Sequence, residues 1–225
     1  HQFLIATDNR WAPLDLHGQE QYMQGFVTEL LESIAKDEEI KLHVISVGTQ
    51  QLFDSLNKGY YDGVISSLPP SVINEEKYLF SDLLYIVGPV LVVPLNSKAK
   101  TIGDLQIVGI KTGVSATFAL SQAPTTSIIP YENMNLALSE LVDGKIDGLI
   151  LDSLDAYAYI QGFYADRLKV VTAPLTMDGL RLITLHDYFG KKLIKIFNQG
   201  LKKAKEDKFY EKALKKWDLV DPEKL

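Results

Sequence analysis

The side chains that could do chemistry in this sequence are few, and their types favour binding over catalysis. Asp152 follows the apolar run Leu149-Ile150-Leu151, which reads as a buried strand. Open α/β sheets present ligands at such strand ends, so this carboxylate is a candidate contact. The alternative is an N-cap for a helix opening at Asp152-Ser153. Lys111-Thr112-Gly113-Val114-Ser115 reads as the turn after another strand. Its N–H groups and hydroxyls could hold an anion. An ordinary strand-to-helix turn with Ser115 as cap is the alternative, and the two are compatible. Ser66 and Ser67 end a third strand, and Arg10 and Trp11 follow the first. Lys111 and Arg181 are further candidate cations. No Ser-His-Asp order, paired-carboxylate motif, phosphate loop or nucleotide-binding glycine cluster is present. The four histidines, His1, His17, His43 and His186, have no metal-ligand spacing, so neither metal nor cofactor is expected.

Composition narrows the class. The chain has 225 residues, enough for one large domain or two small ones. It is 46% hydrophobic, so a core can form, and its net charge of −6 argues against nucleic acid as a partner. The lysine pairs at 191–192, 202–203 and 215–216 read as the solvated face of C-terminal helices. Cysteine is absent, which excludes disulfides and thiolate sites. No run approaches the ~20 apolar residues of a membrane span. No leader is visible, and the chain opens at once on a strand pattern. A mature or trimmed form, with any leader or lipid-anchor cysteine lying upstream, is the expectation.

The elements that must position these residues alternate between short apolar runs and helical periodicities, which predicts an α/β fold with a largely parallel sheet. Phe3 to Ala6, Leu42 to Val47 and Gly63 to Ile65 read as strands; Gly25 to Ala35 reads as a helix. An internal echo is more informative. Leu56-Asn57-Lys58-Gly59-Tyr60-Tyr61-Asp62-Gly63-Val64-Ile65 has the pattern L-x-x-G-x-x-D-G-h-I. Leu141-Val142-Asp143-Gly144-Lys145-Ile146-Asp147-Gly148-Leu149-Ile150 repeats it. A helix ends at glycine, which accepts the left-handed conformation, and a buried strand enters after Asp-Gly. Two similar lobes are expected: residues 1–88 plus 185–225, and 95–178. Apolar segments near 89–94 and 179–184 are the expected hinge strands. Two helices broken near Asp207-Lys208 are expected to pack back on the first lobe.

These motifs together resemble a known family, the polar-amino-acid type of periplasmic substrate-binding proteins (bacterial solute-binding protein family 3) that feed ABC importers. The opening Ala6-Thr7-Asp8 through Pro13 is similar to A-T-D-x-x-[FY]-x-P. Gly25-Phe26, Phe80-Ser81-Asp82, Val108-Gly109-Ile110 with Gly113, and Tyr210 through Trp217 resemble further family elements in the same order. The resemblance implies a type II periplasmic-binding-protein fold. In that fold each lobe is a mostly parallel sheet flanked by helices, two hinge strands join the lobes, and the ligand lies in the cleft. It implies capture of a small polar ligand, an amino acid or derivative, for delivery to ABC transporter permease subunits, in the periplasm or at the cell surface. It implies that Asp152 takes the ligand's ammonium and that the 111–115 loop, through Lys111, Thr112, Ser115 and the backbone of Val114, serves its carboxylate. Ser66 and Ser67 would line the pocket, and Trp11 would pack on the ligand side chain or in the core. Asp8 would hold its loop.

Two positions depart from the family. The family's threonine position is Pro69, which has no donor, and the arginine that clamps the carboxylate falls on Asn74. Asparagine offers two neutral donors and no charge. Arg10, Lys111 or Arg181 would have to substitute, or the ligand is not a standard α-amino acid. Rival readings on the same fold are a cyclohexadienyl- or arogenate-dehydratase-like enzyme and the sensing domain of a membrane receptor.

Overall fold

The structure, a computed structural model, describes residues 2–224, so readings at His1 and Leu225 lie outside the described residues. The chain divides into two units. The first runs to Tyr85 and resumes over Asp178–Asp221; the second takes Ile86–Met177 and the segment from Pro222.

The first unit contains β1 (Gln2–Asp8), α1 (Glu20–Asp37), β2 (Lys41–Val47), α2 (Thr49–Asn57), β3 (Gly63–Ser66), α3 (Val72–Lys77) and most of β4 (Tyr78–Ile86). The second contains β5 (Pro89–Pro94), β6 (Ile107–Lys111), α4 (Thr117–Ser121), β7 (Ser127–Tyr131), α5 (Met134–Val142), β8 (Gly148–Asp152), α6 (Ser153–Gln161) and β9 (Leu168–Val170). The chain then returns to the first unit with β10 (Gly179–Leu185), α7 (Tyr188–Glu206) and α8 (Phe209–Lys216).

Each unit has one five-stranded mixed sheet, ordered β2-β1-β3-β10-β4 and β7-β6-β8-β5-β9. In each, three strands run parallel and the next joins antiparallel: β10 beside β3, and β5 beside β8. The 89–94 and 179–184 segments, read as hinge strands, are buried strands of the sheets, and the chain passes between units at 85–86, 177–178 and 221–222. An apolar strand bounded by prolines has the same pattern whether it connects units or lies within one.

The second sheet is covered on both faces. Val90, Val92, Leu149 and Leu151 pack with α5 and α6, while Leu91, Val93, Val108 and Ile150 pack with Ile102, Ala116 and Ala123. Alternate residues thus enter opposite cores, which is why these strands read as continuous apolar runs. In the first unit α1 packs against α7 and α8. Close approach requires glycine there: a Cβ at Gly25 would lie 2.4 Å from the Trp217 ring. Lys208, at φ 69°, breaks the tail into two helices at the expected point.

The echo has one structural meaning in both units. Gly59 and Gly144 take φ of 76° and 77°, ending α2 and α5. Asp62 then donates its N–H to the Leu4 carbonyl at 2.8 Å and accepts the Leu4 N–H on its carboxylate at 2.8 Å. Asp147 does the same with Ile107, at 2.8 Å and 3.0 Å. In each unit the aspartate thereby joins the incoming strand to the start of its parallel neighbour.

Candidate functional site

Parallel pairing of β6 with β8, Ile110 beside Ile150, brings the C-terminal ends of the two strands together. Lys111 leaves β6 there and Asp152 leaves β8. Asp152 occupies the N-cap position of α6 but makes no side-chain cap bond. Its carboxylate instead accepts from the Lys111 ammonium at 2.9 Å. Asp155, three residues on and so on the same helix face, accepts from the same ammonium at 2.6 Å. The side chains of Lys111, Asp152 and Asp155 are 31%, 43% and 11% exposed, so the lysine is pinned chiefly to the buried partner.

Burial alone would push the Lys111 ammonium down. The hydrogen bonds and charges of Asp155 and Asp152 outweigh it, and the group ends well above its ordinary range. Two carboxylates face one ammonium. Asp155 is the site residue that sequence reasoning missed. Its signal was the i, i+3 spacing from Asp152 in the first helical turn. Between them Ser153 is fully buried, and its hydroxyl has no hydrogen-bond partner.

The anion cradle expected over 111–115 takes a different form. Gly113, at φ 89°, turns the chain, and Val114 donates its N–H to the Lys111 carbonyl at 3.1 Å. Thr112 donates its N–H to the Tyr131 carbonyl at 2.9 Å. Ser115 is exposed and shares a hydrogen bond with Thr117 at 3.2 Å. It is not the helix cap, because Ala116 holds that position and α4 has only five residues.

In the first unit the Ser66 hydroxyl accepts the Leu68 N–H at 3.1 Å, and Ser67 is half-buried. The Asn74 side-chain amide donates to the Pro69 carbonyl at 2.8 Å, so this side chain closes its own loop. Trp11 is buried and donates its indole N–H to the Glu20 carbonyl at 3.1 Å. Arg10 is exposed, with its backbone N–H on the Asp8 carboxylate at 2.8 Å. Asp8 is only 2% exposed, yet its second carboxylate oxygen has no hydrogen-bond partner. Arg181 lies within β10 opposite Ser66, where burial lowers its pKa against the charges of Asp178 and Asp82. The structure thus brings together Lys111 and Asp152 in the second unit, with Thr112, Val114 and Ser115 in the adjoining turn. Ser66, Ser67, Asn74, Trp11, Arg10 and Arg181 lie in the first unit.

Residues 3–220 match the family of bacterial extracellular solute-binding proteins, family 3. The chain belongs to that family. Curated relatives of this family 3 protein include a probable histidine-binding protein from Neisseria gonorrhoeae, 25% identical over 96% of this chain and 82% of the relative. An ABC transporter glutamine-binding protein from Bacillus subtilis is 26% identical over 98% of this chain and 81% of its own length. Among solved structures, the second substrate binding domain of a putative amino acid ABC transporter from Streptococcus pneumoniae aligns with TM-score 0.72 at 25% identity, covering 96% of this chain and 99% of that one. The unliganded L-cystine solute receptor of Neisseria gonorrhoeae aligns with TM-score 0.73 at 18% identity, covering 100% of this chain and 95% of that one, and shares the fold. The family 3 protein therefore has the type II binding-protein architecture, with two mixed sheets flanked by helices. No helix among the described residues is long and apolar enough to cross a membrane.

Proposed function

We propose that this family 3 protein captures a polar amino acid, or a close derivative of one, outside the cytoplasm and delivers it to an ABC permease. One observation carries the reading: Lys111, Asp152 and Asp155 converge at the ends of two parallel strands, with two carboxylates to one ammonium. Asp152, the more exposed carboxylate, accepts from Lys111 through one oxygen and can take a ligand's ammonium on the other. The names of the relatives, histidine-, glutamine- and cystine-binding, support this ligand class.

The reading is one of binding without turnover, in the periplasm or at the cell surface. Calorimetry with a panel of amino acids and their derivatives tests it. A ligand from that panel binds, and Asp152→Ala weakens it at least tenfold by leaving a desolvated ammonium without its partner. Unchanged affinity removes Asp152 from the site. Prephenate and arogenate remain unconverted; appearance of the aromatic product overturns the binding-only reading.

A further inference from the structure

Helix α7 carries a charge pattern that the binding site does not use. Six of its nineteen residues are lysine and one, Glu206, is acidic, in a chain whose net charge is −6. At about 100° per residue the six lysines and Tyr188 fall within about 160° of arc, and the stripe from Lys191 to Lys205 is about 21 Å long. The opposite face, with Leu193, Phe197 and Leu201, is buried. All six lysines are exposed. Lys203 lies 3.7 Å from Asp37, and Lys205 sits over the Tyr210 ring at 4.9 Å. Lys191, Lys192, Lys195 and Lys202 have no ion pair among the described residues. Other carboxylates border the stripe without pairing. Asp187 is the N-cap of α7 and accepts the Gly190 N–H at 2.7 Å. Asp82 shares a surface depression with Lys202 and Lys205, and Glu39 shares another with Lys192.

A second observation comes from the start of the same helix. Tyr188 is 72% exposed and stands on the lysine side of the helix. Phe189 is 44% exposed and packs edge-on against it, with ring centroids 5.4 Å apart. Aromatic rings beside lysines suit a lipid headgroup layer. The rings sit at headgroup level, and the ammoniums meet anionic headgroups. A protein partner fits the stripe less well, because protein interfaces are depleted in lysine.

We infer that the α7 stripe, with Tyr188 at its end, is an adsorption surface for a membrane rich in anionic phospholipid. The attraction is electrostatic and reversible, and it acts within a Debye length, about 8 Å at physiological ionic strength. It holds the protein at the membrane surface without a spanning helix. The surface lies wholly in the first unit and does not depend on which ligand the protein captures.

Co-sedimentation of the full chain with lipid vesicles tests it. Vesicles of phosphatidylglycerol mixed with phosphatidylcholine should bind the protein at about 0.05 M salt and release it at about 0.5 M, and pure phosphatidylcholine vesicles should not bind it. Replacing three lysines together, Lys191→Gln, Lys192→Gln and Lys195→Gln, should weaken binding at least about tenfold and flatten its salt dependence. A control makes the same change of net charge at exposed lysines of the second unit, Lys98→Gln, Lys100→Gln and Lys145→Gln, and should leave binding within about twofold of the unaltered chain. Tyr188→Ala should weaken binding at least about twofold with the salt dependence unchanged. All these positions are exposed, and circular dichroism checks that each variant is folded. Absence of binding to the anionic vesicles at low salt overturns the proposal. So does an equal loss from both triple variants, because overall charge rather than this face would then be at work. Retention on dextran sulfate without vesicle binding assigns the face to a soluble polyanion and overturns it as well. Unaltered binding by Tyr188→Ala overturns the place of the ring in the surface.

Discussion

Lys111→Met keeps the length and apolar stem of the side chain and removes only the ammonium. The loss can be scaled from the two contacts. Breaking a fully buried pair costs about 3–5 kcal/mol, and an exposed pair contributes at most about 1 kcal/mol. Asp155 is 11% exposed and lies near the first limit, but Lys111 itself is 31% exposed and Asp152 43%, which lowers the sum. A cost of about 2 kcal/mol is expected, or about 4–8 °C in Tm for a chain of this size. The pH dependence is more diagnostic. In the native protein the Lys111 value is raised on folding. Its contribution is therefore fully present below the unfolded value of about 10.4 and is lost only as pH rises through the folded value. In the variant two carboxylates face each other without the cation, and one is pushed upward. A carboxyl group raised on folding stabilises when protonated, so the deficit should shrink from about pH 7 to about pH 5. Far-UV circular dichroism is the suitable probe. Both tryptophans, Trp11 and Trp217, lie in the first unit, and their fluorescence would report the other half of the chain. A shift below about 1 °C, or a deficit that is flat with pH, would refute the assignment of the lysine as the cation holding this site together.

Three further outcomes follow from features outside the site. Asp62→Ala and Asp147→Ala should each cost about 1–2 kcal/mol and speed hydrogen exchange at the Leu4 and Ile107 amides respectively, because each removes the carboxylate that accepts that N–H and leaves the backbone bond in place. Gly109→Ala places a Cβ 2.8 Å from the Tyr131 ring, so a loss of about 1–3 kcal/mol is expected. Ultraviolet titration should then find Tyr131 below the value of about 12 to which burial, and its hydrogen bond to Glu140, now push it. Glu29 is held below the usual carboxylate range by its hydrogen bond from Lys216, against burial, with help from Trp217. Glu29→Gln should cost under 1 kcal/mol near neutrality. That difference should vanish as pH falls below about 4.3 and through the lower folded value, as read by Trp217 fluorescence.

Much of the fold was legible because it depends on local punctuation. The echo marked two helix ends and two strand entries, and both aspartates make the same backbone bonds. The strands that escaped notice have weak patterns. β7, Ser127 to Tyr131, is an edge strand with only its last residue buried and a proline within it, so neither alternation nor a continuous apolar run marks it. The site was half legible. Asp152 and Lys111 could be named singly from their places at strand ends, but 41 residues separate them, and only the parallel register of β6 with β8 makes them partners. The same pairing explains why Asp152 does not cap α6. An ammonium at 2.9 Å competes for the carboxylate more strongly than neutral N–H groups do.

The order of the strands also bears on how the chain is made. The second sheet draws all five strands from one uninterrupted stretch, 86–177, whereas the first needs β10 inserted between β3 and β4. During synthesis the later unit can thus close its core while the earlier one is still waiting, with its sheet open at β3 and α1 lacking α7 and α8. The usual N-terminal-first order of emergence is inverted for completion: the unit that begins the chain finishes last. Until β10 arrives, Ile65 and Val64 have no antiparallel neighbour to cover that side. Binding by any helper protein that shields nascent strands would be most useful in that interval.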